Sequence, residues 1–288
     1  MTLTEASDPA DTTETNQHYD LDPEIFGRFL DPMRKYSSGL YRDDADDLAT
    51  AQQQKLAFVA ERLQVGDLPV GARVLDVGCG WGALTLYLAG RHGCAVTGVT
   101  PAPRQRDHVL ATAAAQGVAD RVTVHRGTFE AFEAPRAGFD AAAALGSVIH
   151  MPDLPAVLAR TRRLLRRGAR FYLSESCFRN DAIRAEFDRR PGTEFVRTGI
   201  FGNGRLRPLS ELVAAAESAG FSVEAVDDLT EDYHRTIEAW IANVDASANE
   251  LDALSEGMAA RLTHYLRIAN AGWGFTTKHY GLTLRAAR

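Results

Sequence analysis

Cysteine is scarce in this 288-residue chain, which has only Cys79, Cys94 and Cys177. An odd number, each within an apolar segment, suits reduced thiols better than a disulfide framework. No Cys-x-x-Cys pair or His/Cys cluster occurs, so no metal site is expected. Runs of about 18 apolar residues are missing, which argues against integral membrane association. The stretch from Met1 to Gln17 lacks the basic start and apolar centre of a signal peptide, and the expectation is a cytoplasmic protein. A basic excess is lacking as well. The formal net charge of -6 offers no overall attraction to phosphates, so nucleic acid is not an expected partner. A homo-oligomer is left open.

What is present is an ordinary globular composition, 45% hydrophobic and 24% charged. Residues 1–16 are polar and aperiodic and are expected to form a mobile arm. Residues 17–69 read as a helical cap, with Phe26, Phe29 and Leu30 in one stripe and Leu48, Ala51, Leu56, Val59 and Leu63 in a second. From residue 70 to 288, strand-like and helix-like segments alternate. Arg73–Val77, Ala95–Thr100, Val122–His125, Phe139–Leu145 and Arg170–Glu175 read as strands, and Ala83–Ala89, Val109–Gln116 and Pro155–Leu165 as helices. Such alternation predicts an α/β, Rossmann-like parallel sheet covered on both faces. The order breaks at about 180–208, where Pro191, Gly192, Gly199, Gly202 and Gly204 suggest an inserted lid. A helix over Leu209–Ala219, a strand over Phe221–Val226, a helical region at about 233–268 and a last strand over Lys278–Leu284 follow. The arginines around Leu164 and Leu165 read as the solvated face of an amphipathic helix.

The most informative segment is Val74-Leu75-Asp76-Val77-Gly78-Cys79-Gly80-Trp81-Gly82. An apolar strand enters a glycine-rich turn and then a helix, which lets a ligand lie against the backbone. Gly78-x-Gly80-x-x-Ala83 also meets the looser dinucleotide pattern. Three features oppose a dinucleotide. Asp76 would repel a pyrophosphate but hold an ammonium, Trp81 is bulky where a pyrophosphate needs close approach, and the second strand ends in Gly98-Val99-Thr100 without the acidic residue a ribose wants about 20 residues on.

These residues, with several others in order, resemble the cyclopropane fatty acid synthase and mycolic acid cyclopropane synthase family of class I methyltransferases. The resemblance runs from Tyr19 to Arg285. It rests on Tyr19-Asp20-Leu21, Phe29-Leu30-Asp31-Pro32, Tyr36-Ser37-Ser38-Gly39, Ala51-Gln52-Gln53 with Lys55, the glycine motif, Gly98-Val99-Thr100 with Gln105, Ile200-Phe201-Gly202-Asn203-Gly204, and Asp232-Tyr233 through Trp240. It implies a seven-stranded methyltransferase core and S-adenosylmethionine as cofactor. Tyr36 and Ser37 would contact the methionine part, with Asp76, Gly78 and Gly80 beside it. Thr100 and Gln105 would hold the ribose, Thr128 and Phe129 flank the adenine, and Leu145 floors the sulfonium.

Methyl transfer is an in-line displacement, so alignment and exclusion of water are the main tasks. Aromatic faces stabilise the cationic centre, and Tyr19, Phe201, Tyr233, Trp273 and Tyr280 are candidates, Tyr19 and Tyr233 because they match the family's active-site positions. The family's ring-closing base is a bicarbonate ion, held partly by Cys, Glu and His. The corresponding positions here read as Ser38, Ile149 and Leu173, which implies that the reaction stops at methylation. His150 is the leading candidate base, because imidazole titrates near neutral pH. Glu175, at the end of the fifth strand, projects toward the same crevice. The expected activity is C-methylation of an alkene in a prenyl, terpenoid or other small apolar molecule. O- or N-methylation, fatty acyl cyclopropanation and cofactor binding without transfer stand as alternatives.

Overall fold

The computed structural model describes residues 22–187, 189 and 205–287. Tyr19, Phe201, the N-terminal arm and most of the lid segment lie outside them. The described chain opens with two helices, α1 (Pro23–Phe29) and α2 (Leu48–Leu63). Asp22 and Asp47 cap them, each carboxylate accepting a backbone N–H from the first turn.

Next comes β1 (Arg73–Val77), α3 (Ala83–Arg91), β2 (Ala95–Thr100), α4 (Pro103–Ala115), β3 (Val122–Arg126), β4 (Phe139–Leu145), α5 (Leu154–Leu164) and β5 (Leu165–Phe178). After α6 (Arg184–Phe187) and the short β6 (Arg207–Pro208) follow α7 (Leu209–Ser218), β7 (Phe221–Asp228), α8 (Thr230–Ala246), α9 (Ala248–Leu254), α10 (Met258–Ala271) and β8 (Thr277–Ala286). The strand order is β3-β2-β1-β4-β5-β8-β7, with β6 beside β5. All pairings are parallel except those of β8, which runs antiparallel between β5 and β7.

The central β4 strand is Phe-Asp-Ala-Ala-Ala-Ala-Leu, and its alanines are fully buried. Small side chains there let both helical layers approach closely. On one face, Leu56, Val59 and Leu63 of α2 pack with Leu84 and Leu88 of α3 and Val109 of α4. On the other, Leu154, Val157 and Leu158 of α5 pack with Leu212 and Ala216 of α7. A third cluster joins α1 to the late helices through Phe26, Phe29, Ile237, Trp240 and Leu262. The carboxyl ends of β1, β2, β4 and β5 open beneath this aromatic roof, where ligands bind in open α/β sheets.

The three cysteines are free and buried. Among the described residues there is no group of His, Cys, Asp or Glu that could hold a metal, and no helix long and apolar enough to cross a membrane.

Candidate active site

The turn after β1 is shaped by its glycines. Gly78 has φ 76°, and a Cβ there would stand 2.3 Å from Cβ of Ser147 in the loop after β4. That loop is pinned in turn, because Ser147 Oγ donates to the Val77 carbonyl at 2.5 Å. Gly80 has φ 55°, and a Cβ built on it meets no atom within 4 Å, so the turn is open on the side a ligand would take.

Asp76 lies beneath this turn, 2% exposed, with Oδ2 accepting from the Thr85 hydroxyl at 2.8 Å. Burial raises its carboxyl above the usual range, opposed by the nearby Lys35 ammonium and the bonds from Thr85. At the end of β2, Thr100 Oγ1 donates to Gln105 Oε1 at 2.7 Å, and both residues are buried. This fixes the amide of Gln105 beside the hydroxyl of Thr100, a pairing suited to a vicinal diol.

Tyr36 sits in an aromatic box. Its ring is stacked on Trp240 at 5.1 Å and lies edge-on to Phe26 and Phe29. Ser37, one residue on, is 1% exposed, and its Oγ has no hydrogen-bond partner among the described residues. It faces the loop after β4, where a Cβ on Gly146 would come within 3.9 Å of Ser37 Cβ. Leu145 is buried just before that loop. Phe129 is buried and stacked with Phe132, and Thr128 precedes it. Residues glycine-lined, diol-pairing and orphaned together fit an adenosyl amino acid.

The acceptor-side candidates divide. Ser38 is fully buried and its hydroxyl donates to the Gly39 carbonyl at 2.7 Å. His150 ends a 3-10 turn, Val148–His150, and is half-buried. The Ile149 amide in that turn donates to Glu175 Oε2 at 2.9 Å, and the Ser176 amide donates to Oε1 at 3.1 Å. Burial pushes the Glu175 carboxyl up to about 7, against the pull of those amides and of Arg207. Glu175 thus braces the turn that carries His150.

Strand alternation separates other candidates. Leu173 points into the α5 and α7 core with Phe171, so it does not face the crevice; Ser174 and Tyr172 lie on the α2 side. Tyr280 pairs in register with Glu175 and packs against the α5 and α7 core, away from Tyr233. Trp273 does join Tyr233, with ring centroids 4.7 Å apart.

Sequence reasoning missed His279, whose ring is 4.8 Å from that of Tyr233 and edge-on to it. Its Nδ1 lies 3.3 Å from Ser176 Oγ, and Nε2 is buried without a partner among the described residues. Burial, reinforced by Lys55 and Lys35, holds its imidazole neutral, well below the usual histidine range. His279 lies within the last strand expected from sequence, but its pairing with Ser176 of β5 appears only in the fold. Lys35, next to the tyrosine motif, was also missed.

The strand order and the glycine turn after β1 are those of a Rossmann-like methyltransferase fold. The family model for mycolic acid cyclopropane synthetase matches residues 7–280. The cyclopropane-fatty-acyl-phospholipid synthase of Escherichia coli K12 is 30% identical over 253 residues, 87% of this chain, which spans 61% of that enzyme's length. Cyclopropane mycolic acid synthase 1 of Mycobacterium tuberculosis H37Rv is 28% identical over 86% of this chain and 88% of its own. A solved structure of mycolic acid cyclopropane synthase CmaA1, complexed with SAH and CTAB, superposes with a TM-score of 0.86 at 26% identity, covering 95% of this chain and 98% of that one. The chain therefore belongs to the mycolic acid cyclopropane synthetase family, whose members use S-adenosylmethionine.

Proposed function

We propose that this chain transfers the methyl group of S-adenosylmethionine to an alkene carbon of a small apolar acceptor, of the prenyl or terpenoid kind, and stops short of ring closure. One observation carries this reading: the positions that would hold a ring-closing ion are spent otherwise. The Ser38 hydroxyl is committed to a backbone carbonyl, Ile149 is apolar, and Leu173 belongs to the core.

The bound cofactor supplies an electrophilic methyl. The chain's own work is to orient and to exclude water. Thr100 and Gln105 take the ribose hydroxyls, the turn at Gly78 and Gly80 admits the amino acid part, and Tyr36 is held by its aromatic box. Addition of a methyl to an alkene leaves a cation on the acceptor, and the rings of Tyr233 and Trp273 stabilise such charge by ~0.5 to 2 kcal/mol. A proton then leaves the neighbouring carbon and the double bond re-forms, so the acceptor gains one methyl and loses one proton. His150, on the turn braced by Glu175, is the proposed proton acceptor.

Cyclopropanation is the second reading, favoured by the names of the relatives. Both products gain one CH2, so mass does not separate them. Turnover with methyl-labelled cofactor followed by carbon NMR does: a labelled methyl with the alkene retained is expected, and label in a three-membered ring would overturn the proposal.

A further inference from the structure

The turn before the tyrosine motif is tied down by Asp31, whose two carboxylate oxygens accept the amides of Met33 and Lys35 at 2.9 and 2.7 Å. This turn carries Lys35 into the interior, 9% exposed. Its ammonium feels the charges of Asp76 and Asp31, which oppose the effect of burial. Yet neither carboxylate neutralises it directly. Asp31 is committed to backbone amides and Asp76 to Thr85, and no acceptor lies within ion-pair distance of the Lys35 ammonium among the described residues. A buried cation without a bonded counter-ion is costly, because each such charge loses its hydration.

Two residues on, the Ser37 hydroxyl is also buried and unpartnered. Tyr36, between them, is taken up by its aromatic box. Lys35 and Ser37 thus bring one cation and one hydroxyl donor to the same stretch of backbone, with Ser37 against the Gly146–Ser147 loop that meets the glycine turn at Gly78. We propose that Lys35, with Ser37, binds the α-carboxylate of the cofactor's methionine part, completing a charge pattern in which Asp76 answers the α-ammonium. The inference rests on the assignment of S-adenosylmethionine to this cleft, and adds a specific counter-ion to it. Charge-assisted bonds of this kind are roughly twice as strong as neutral ones, and carboxylate recognition commonly depends on them.

The test compares S-adenosylhomocysteine with its decarboxylated analogue, which keeps the ammonium and lacks only the carboxylate. Calorimetric titration of the full chain is expected to show that Lys35→Met weakens the first ligand by about tenfold or more while leaving the second within a few-fold. Lys35→Arg, which keeps the charge, is expected to recover part of the preference. Equal losses for both ligands in Lys35→Met would assign Lys35 a structural role and overturn the proposal, as would an unchanged affinity for the first. Should Lys35→Met fail to give a cooperative melt, the wild-type protein decides: no preference for the carboxylate-bearing ligand refutes the proposal. Failure of the wild type to bind either ligand would instead strike the cofactor assignment itself.

Discussion

Glu175 is 4% exposed and accepts two backbone amides, and its carboxyl is raised by burial to about 7. In the unfolded chain a glutamate titrates near about 4.3. Between those values the native state holds a proton that the unfolded state has shed, so this group's contribution to stability is present below the lower value and is lost as pH rises through the upper one. Glu175→Gln is expected to remove that slope. Urea unfolding at about pH 5 and about pH 8 checks it: the wild type loses stability relative to the variant by up to a few kcal/mol across the window. A constant difference between the two proteins would contradict a buried, proton-holding carboxyl. Lys55 shows the opposite sign, since burial lowers its ammonium to about 7.

At the scale of elements, the aromatic roof couples the two ends of the chain. Trp240 of α8 is 1% exposed, stacks on Tyr36 and meets Phe29 and Tyr233 edge-on. Trp240→Ala is expected to cost about 3–5 kcal/mol in denaturant unfolding. It is also expected to weaken cofactor binding, because the ring that fixes Tyr36 is gone; a variant that keeps full affinity would show that Tyr36 is positioned without it. The alternating elements were legible in sequence because each strand is short, apolar and bounded by turn residues. Arg73–Val77, Ala95–Thr100 and Phe139–Leu145 appear with the bounds their hydropathy suggests. β5 is longer than the apolar run implies, reaching from Leu165 to Phe178: Leu165 pairs with Phe139 of β4 at its start, and Ser176–Phe178 gain partners in β8 and β6 at its end. The helical region near 233–268 is divided into three helices, broken at Ser247 and at Gly257. Local propensity carries no record of which strand lies next to which. The insertion of β8 between β5 and β7, and with it the meeting of His279 with Tyr233, was therefore hidden. The same limit left Tyr280 grouped with Trp273, although Tyr280 packs against the α5 and α7 core and Trp273 joins the aromatic cluster around Tyr233.

For the whole molecule, residues from Lys35 to His279 converge on the carboxyl edge of one sheet, so the cofactor cleft is a property of the complete fold. A ligand seated there draws on contacts made only in the native state and raises stability by mass action, about 2.7 kcal/mol at a hundredfold excess over Kd. The central claim is that the glycine turn after β1 holds an adenosyl amino acid. Calorimetric titration of the full chain with S-adenosylhomocysteine, wild type beside Gly80→Val, tests it most directly. Saturable one-site binding by the wild type, lost in a variant that still melts cooperatively, is the predicted result. Equal binding by both proteins, or none by the wild type, would contradict it.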